Sequence, residues 1–405
     1  MKYVIFLGDG MADTPVEALG GQTPLEAAEH PNMDRMASRG RMGLVRNVPH
    51  GMKPGSDTAN LSVFGYDPRT YYTGRSPLEA ASIGIDLALD DVTYRCNFVT
   101  LSGDSLENAV MEDYSAGEIS SEESRQLVEH INAKFSCETL HLYPGISYRQ
   151  CLVLKHGKTG AELTPPHDIS GQTTAGRLPE GQNAALLREM MRYAYETLKD
   201  HPVNRERIRQ GKNPANAIWF WGEGRKPALR PFLSLYGLRG AVISAVDLIQ
   251  GIGICAGMRV LHVPGATGNY HTDFAAKGRA AIEAFETGSD FVYIHVEAPD
   301  ECGHQNQVSE KVYSIEQIDE KIIGPVLSYL QQSGEAYAAL VLPDHPTPLA
   351  LRTHTGDPVP FALYRSTDEI VGKCVRYTEE SARATGIFVP RGDEMIRVLL
   401  GEKTL

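Results

Sequence analysis

The sequence predicts an α/β protein with a mostly parallel sheet and a second domain inserted into the first. Three observations carry that prediction. Short, continuous apolar runs that lead into acidic residues recur toward both ends of the 405-residue chain. Amphipathic helical patterns separate them, the alternation that builds parallel sheets. The middle third departs from both, with shorter, more polar strand-like runs and many Gly and Pro turns.

Taken in order, residues 3–7 read as a buried strand that ends in the turn Gly8-Asp9-Gly10. A helical pattern covers 23–39. Ser56 follows the glycine of Pro54-Gly55 and opens a helix-like stretch, where a serine is ordinarily an N-cap and alternatively a nucleophile. Between about 90 and 230, residues 169–181 read as a Gly- and Thr-rich loop and 184–200 as a long helix. We assign 1–88 and 232–405 to a discontinuous core and 89–231 to an inserted domain; one large domain with a decorated edge is the alternative. Strands then recur at 241–245, 290–296 and 337–343, with helices at 274–286 and 308–331. In parallel sheets, ligands bind beyond the carboxyl ends of the strands. Those ends carry Asp9, Asp300 and Asp344-His345. There is no internal repeat.

Composition narrows the function. The formal net charge is −12 and there is no long run of Lys or Arg, which argues against nucleic acid as the main partner. It says nothing against a small anionic substrate. Cys96, Cys137, Cys151, Cys255, Cys302 and Cys374 are scattered without a CxxC pair, as expected of free thiols in a reducing compartment. The first apolar run is too short for a signal segment, and no stretch of roughly 18 apolar residues suggests a membrane span. The expectation is a cytoplasmic enzyme.

Asp300 and His304, four apart, can converge on one cation within a turn or loop, although such pairs are also common on surfaces. Asp344 and His345 would diverge on a strand or helix, but in a loop stiffened by Pro343 and Pro346 both can reach inward. Asp9 lies between glycines that allow close backbone approach, in what is also an ordinary turn sequence. His354 has no signal of its own. Carboxylates and imidazoles without thiolate suit Mn²⁺, Mg²⁺ or Zn²⁺. Two such ions roughly 4 Å apart would clamp a phosphoryl group and activate the Ser56 hydroxyl, with amides at the helix start helping to hold the anion. Residues 251–256 fit the relaxed dinucleotide pattern G-x-G-x-x-[GA], with Asp273 downstream, but close helix packing is the preferred explanation. No G-x4-G-K-[ST] loop is present, which removes a P-loop kinase.

The assembled motifs resemble the alkaline phosphatase superfamily and, within it, the shorter archaeal-type branch of the cofactor-independent phosphoglycerate mutases. The matching pieces are Phe6-Leu7-Gly8-Asp9-Gly10-Met11-Ala12-Asp13, Pro54-Gly55-Ser56-Asp57-Thr58-Ala59, Phe64-Gly65-Tyr66-Asp67-Pro68, Pro299-Asp300-x3-His304, Leu342-Pro343-Asp344-His345 and His354-x3-Pro358-Val359-Pro360. The resemblance implies an alkaline-phosphatase-like core with helices on both faces of the sheet and an α+β cap. It also implies two divalent ions per chain, Mn²⁺ first, with Mg²⁺, Zn²⁺ or Co²⁺ as alternatives. One ion would be held by Asp300, His304 and His354, the other by Asp9, Ser56, Asp344 and His345. Ser56 would carry the phosphoryl group between positions of a small phosphorylated substrate, and cap closure would exclude water. The cap matches less well. Ser115 and Glu118 stand where the branch has arginines, the Thr164-Pro165-Pro166-His167-Asp168 stretch differs, and Gln250 replaces a frequent lysine. Arg75, Arg149, Arg225 and Arg230 remain as anion ligands. These departures resemble a bacterial subgroup proposed to act as a homoserine kinase, which is the alternative function.

Overall fold

The computed structural model describes residues 1–370 and 376–405. Of the six cysteines, Cys374 lies outside the described residues, and the other five are free thiols. The chain forms two compact units, Met1–Tyr72 with Leu229–Leu405, and Thr73–Ala228. The borders thus fall at 72/73 and 228/229, against 88/89 and 231/232 in the sequence reading. Helix Ser76–Ser82 accordingly sits with the second unit, where Ser76 Oγ donates to the Thr93 carbonyl at 3.0 Å.

In the first unit the Lys2–Gly8 strand runs parallel between Phe291–Val296 and Tyr337–Leu342. Gly240–Ile243 and Arg259–Leu261 extend the sheet, still parallel, on one side. On the other, Val359–Arg365 is antiparallel, followed by Arg41–Val45 and the short Phe388–Val389, giving eight strands. Val4, Ile5, Phe6 and Leu7 are all buried, so the strand reads as a continuous apolar run without alternation. Helices Pro31–Arg39 and Phe274–Glu286 and the helical stretch 308–332 pack against Val4, Phe6, Val292, Ile294, Ala339 and Val341.

The helix expected over 23–39 is two. Thr23 caps Pro24–Ala27 in a capping box with Glu26. The residue before a proline avoids the helical region, and His30, at φ −137° and ψ 65°, breaks the chain ahead of Pro31. The second helix is capped from a distance: Asp319 accepts the amides of Asn32 and Met33 at 3.1 and 2.8 Å. Asp319 reaches them from a π-helical turn, Ile318–Ile323, inside the 308–332 stretch.

The second unit has a five-stranded antiparallel sheet centred on Val92–Ser102, flanked by Arg149–Leu154 and Ala217–Arg225. This corrects the expectation of short, polar strands, because Val92–Ser102 has eleven residues and all but the last are buried. Its polar residues disguise it. Each is hydrogen-bonded inside the unit: Asn97 donates to the Tyr114 carbonyl and accepts from Trp221 Nε1, and Arg95 pairs with Glu79. Helix Ala184–Thr197 ends in a 3₁₀ turn, Leu198–Asp200. Within 169–181, Ile169 ends a 3₁₀ turn, Pro166–Ile169, Thr173 bridges to Val110, and Glu180–Gly181 pairs with Ala161–Glu162. No helix among the described residues is long and apolar enough to cross a membrane.

One buried ion pair ties three segments of the first unit together. Lys311 Nζ donates to Asp13 Oδ2 at 2.8 Å and to the Thr347 carbonyl at 2.9 Å, and both charged side chains are fully buried. Removing one partner leaves an uncompensated buried charge, so Lys311→Met should destabilise the protein by about 3–5 kcal/mol. Urea unfolding checks this, and a loss below about 1 kcal/mol, no more than a surface substitution costs, would contradict it.

Candidate active site

Asp9, Asp300, Asp344 and His345 follow the carboxyl ends of three adjacent parallel strands, so sheet register alone gathers them. Asp300 and His304 lie one turn apart on helix Ala298–Gln305, where the sequence reading placed a turn or loop. A helix brings i and i+4 to one face, and His304 Nε2 is 3.2 Å from Asp300 Oδ2. His354 comes from the loop between strands Tyr337–Leu342 and Val359–Arg365: its Nε2 is 3.3 Å from Asp300 Oδ1 and 2.9 Å from His304 Nε2. His304 Nδ1 faces the Arg352 carbonyl at 2.9 Å, which can only accept, so Nε2 is left to face the cluster.

The second cluster surrounds Ser56. That residue is the first of helix Ser56–Val63, but it is not the N-cap; Gly55 is, so the serine side chain has no capping duty. Ser56 Oγ lies 3.2 Å from His345 Nε2 and 3.5 Å from Asp9 Oδ2. His345 Nε2 is also 3.3 Å from Asp344 Oδ2 and 3.6 Å from Asp9 Oδ1. Ligand atoms of Asp9, Asp300 and His345 lie within 4.8 Å of one another, so the two clusters adjoin. Gly10, at φ +60°, closes the turn; a Cβ there would stand 2.7 Å from the Asp300 Cα, and its N–H donates to Asp344 Oδ1 at 3.2 Å.

The electrostatics fit cations. Burial, and then the charges of Asp344 and Asp300, push the Asp9 carboxyl well above the usual range. Its Oδ1 is buried without a hydrogen-bond partner. Burial opposes ionisation of Asp300 too, but His304 and His354 overcome it and hold that carboxyl well below its ordinary value. An orphaned carboxylate oxygen among three acids and three imidazoles is a donor set for divalent ions.

The hydrogen bond to Asp300 raises His304 to about 9. Below that pH the metal-free imidazole carries a proton where a cation would bind. Loading Mn²⁺ at pH 7.5 should therefore release about one proton from this cluster, and none above pH ~10. Titration calorimetry in two buffers of different ionisation enthalpy measures this; proton release that does not change with pH would contradict it.

Several residues of the site gave no sequence signal. Asn60 Nδ2 donates to Asp344 Oδ2 and to the Ser56 carbonyl, both at 2.9 Å, and Tyr293 donates to Asn60 Oδ1 at 2.6 Å. Thr347 donates to Asp300 Oδ1, and Asn47 holds the Pro343 and Asp344 carbonyls. His295 Nε2 lies 2.9 Å from Asp9 Oδ2. Only His295 was visible in principle, as a histidine inside an apolar strand run.

Of the four arginines expected to bind anions, Arg75 and Arg149 fall together in the second unit, around Glu79. Arg75 Nε and Arg95 Nε bind the two oxygens of that carboxylate at 2.7 and 2.9 Å, and Arg95 stacks on Trp221 at 4.0 Å. Burial would raise Glu79, but Arg95 and Arg75, with Arg149 behind them, hold it below its usual range. Arg225 instead donates to the Gly157 carbonyl at 2.6 Å, and Arg230 is exposed in the first unit. Ser115 serves a turn closed by Asp113, and Glu118 is exposed. The 251–256 glycines lie inside helix Asp247–Cys255, not ahead of it. A Cβ on Gly253 would meet Val242 Cγ2 at 2.8 Å, which is close packing.

Comparison with known proteins adds three findings. The profile of the 2,3-bisphosphoglycerate-independent phosphoglycerate mutase family matches residues 37–204. A Methanothrix thermoacetophila protein of that name is 51% identical over 99% of this chain and 100% of its own length. Two solved structures are similar throughout. A Pyrococcus horikoshii protein is 30% identical, with a TM-score of 0.83, over 99% of this chain and 96% of that one. The cofactor-independent phosphoglycerate mutase of Thermoplasma acidophilum is 25% identical, with a TM-score of 0.69, over 99% and 100%.

Proposed function

The chain belongs to the 2,3-bisphosphoglycerate-independent phosphoglycerate mutase family, and from that premise we propose that it interconverts 3-phosphoglycerate and 2-phosphoglycerate through a phosphoserine at Ser56. The observation that carries the proposal is the placement of the Ser56 hydroxyl, 3.2 Å from His345 Nε2 and 3.5 Å from Asp9 Oδ2, at a helix start beside two ligand clusters.

Two divalent ions, Mn²⁺ first, would supply charge neutralisation and a lowered hydroxyl pKa, held by Asp300, His304 and His354 and by Asp9, Ser56, Asp344 and His345. Asn60 fixes Ser56 and Asp344 relative to each other, so the nucleophile is oriented before substrate arrives. Ser56 Oγ, giving up its proton, attacks phosphorus; the bond from phosphorus to the substrate oxygen breaks and that oxygen takes up a proton. The neighbouring substrate hydroxyl then attacks in turn, losing its proton as Ser56 Oγ leaves and regains one. Amides at the start of Ser56–Val63 offer partners to the phosphoryl oxygens. We assign substrate recognition to the second unit, with Arg75 and Arg149 as the anion ligands to test first and Arg225 after them; Arg230, which belongs to the first unit, is a further candidate. A cytoplasmic location is part of the proposal.

An enolase-coupled assay on the metal-loaded protein, without added bisphosphoglycerate, tests the function. Sustained phosphoenolpyruvate formation from 3-phosphoglycerate is expected, with no phosphohomoserine from homoserine and ATP. No turnover with Mn²⁺, Mg²⁺ or Co²⁺ would reject it.

A further inference from the structure

The strand that leads to Asp300 carries a histidine that the reaction above does not use. His295 is fully buried, and its two ring nitrogens are both engaged within the first unit. Nε2 is 2.9 Å from Asp9 Oδ2, and Nδ1 is 3.2 Å from Ser244 Oγ. Ser244 is itself fixed from two sides. The Val246 amide donates to its Oγ at 3.0 Å, and Gln250 Nε2 donates to its carbonyl at 2.8 Å.

The donor directions in this chain follow from chemistry. An ionised carboxylate can only accept, so when Asp9 is ionised His295 Nε2 bears the hydrogen. Nδ1 must then accept, and Ser244 supplies the O–H while its oxygen receives the Val246 N–H. Each link offers its hydrogen toward Asp9, and each is locked by the one before it. The result is asymmetric at the carboxylate: Oδ2 is held by a neutral donor, and Oδ1, buried and without a partner, is left free.

We propose that His295, set by Ser244 and the start of helix Asp247–Cys255, is a positioning residue that fixes the Asp9 carboxylate so that its free oxygen serves the cation at the Ser56 cluster. The inference rests on the two-cluster reading above. It assigns a role in selective metal affinity to the 244–250 turn, which touches neither ion nor substrate in the proposed reaction. Partners of this kind, removed one at a time, cost roughly 10–100-fold in metal affinity.

The test uses Mn²⁺ alone with the metal-free full chain and reads a two-site binding isotherm. Asp344→Ala, which lacks a ligand of the Ser56 cluster, identifies which phase belongs to which site. His295→Leu is expected to weaken that phase about 10–100-fold and leave the Asp300–His304–His354 phase within threefold. His295→Gln, which keeps an N–H donor of similar reach, should recover most of the loss. Equal affinities in His295→Leu and the unaltered protein would overturn the proposal, as would a His295→Gln no better than His295→Leu. If His295→Leu does not fold, Ser244→Ala decides: a several-fold loss at the same phase supports the proposal, and no loss overturns it. An unaltered protein that binds no Mn²⁺ would instead defeat the two-cluster reading itself.

Discussion

Ser56→Ala is expected to lower the turnover of 3-phosphoglycerate by about 10⁴-fold or more, because no other hydroxyl can take its place as nucleophile in the proposed route. The Ser56 side chain touches Asp9 and His345, and two other hydroxyls of this region are already committed, Thr347 to Asp300 and Thr58 to the Lys53 and Gly55 carbonyls. The fold should barely notice. Gly55, not Ser56, is the N-cap, so no helix cap is lost, and a change within about 1 kcal/mol is expected. Mass spectrometry of acid-quenched protein should find a phosphoryl adduct on the Ser56 peptide and none in the variant. Unchanged turnover, or an adduct on another side chain, would remove Ser56 from the mechanism.

Asp344→Ala should cost nearly as much by a different route. Asp344 Oδ2 accepts from Asn60 and lies 3.3 Å from His345 Nε2, while Oδ1 accepts the Gly10 and His345 amides. Its removal deletes a ligand and frees the loop that presents His345. Metal content should fall from two ions to one per chain, and kcat/KM by about 10³-fold or more. Asp344→Asn separates the two losses. It keeps an oxygen for the Gly10 amide but not the charge, so it should show the metal defect with a smaller loss of stability. Elemental analysis after gel filtration measures the stoichiometry, and two retained ions would remove Asp344 from the ligand set.

The parts of the site that sequence reveals are those at strand ends. Asp9, Asp300 and Asp344 each close a run of apolar residues, and parallel register brings such ends together without any further information. His354 is different. Nothing near it in sequence announces a ligand, and only its match to a family motif selects it; the loop return from residue 344 places it beside His304. Asn60 and Tyr293 were invisible because their function is a hydrogen bond between distant segments, and an asparagine in a helix reads as neutral. Within the fold, the strand Val92–Ser102 was underestimated for a related reason. Its Arg, Asn and Thr side chains look solvent-facing in a linear pattern, yet pair internally once the sheet forms. The break at Pro31, which the single helical pattern over 23–39 missed, follows from proline chemistry, whereas the remote cap from Asp319 has no local signal. Among the arginines expected to bind anions, the grouping of Arg75 and Arg149 with Arg95 around Glu79 depends on antiparallel pairing that no local motif encodes.

The central claim is that two cations sit beside the Ser56 hydroxyl, one in each ligand cluster. Anomalous diffraction at the manganese edge from crystals grown with Mn²⁺ addresses it most directly. Two peaks are predicted roughly 4 Å apart, one within bonding reach of Asp300, His304 and His354 and one within reach of Asp9, Ser56, Asp344 and His345. A single peak, or manganese bound only at other residues in an active protein, would contradict the account.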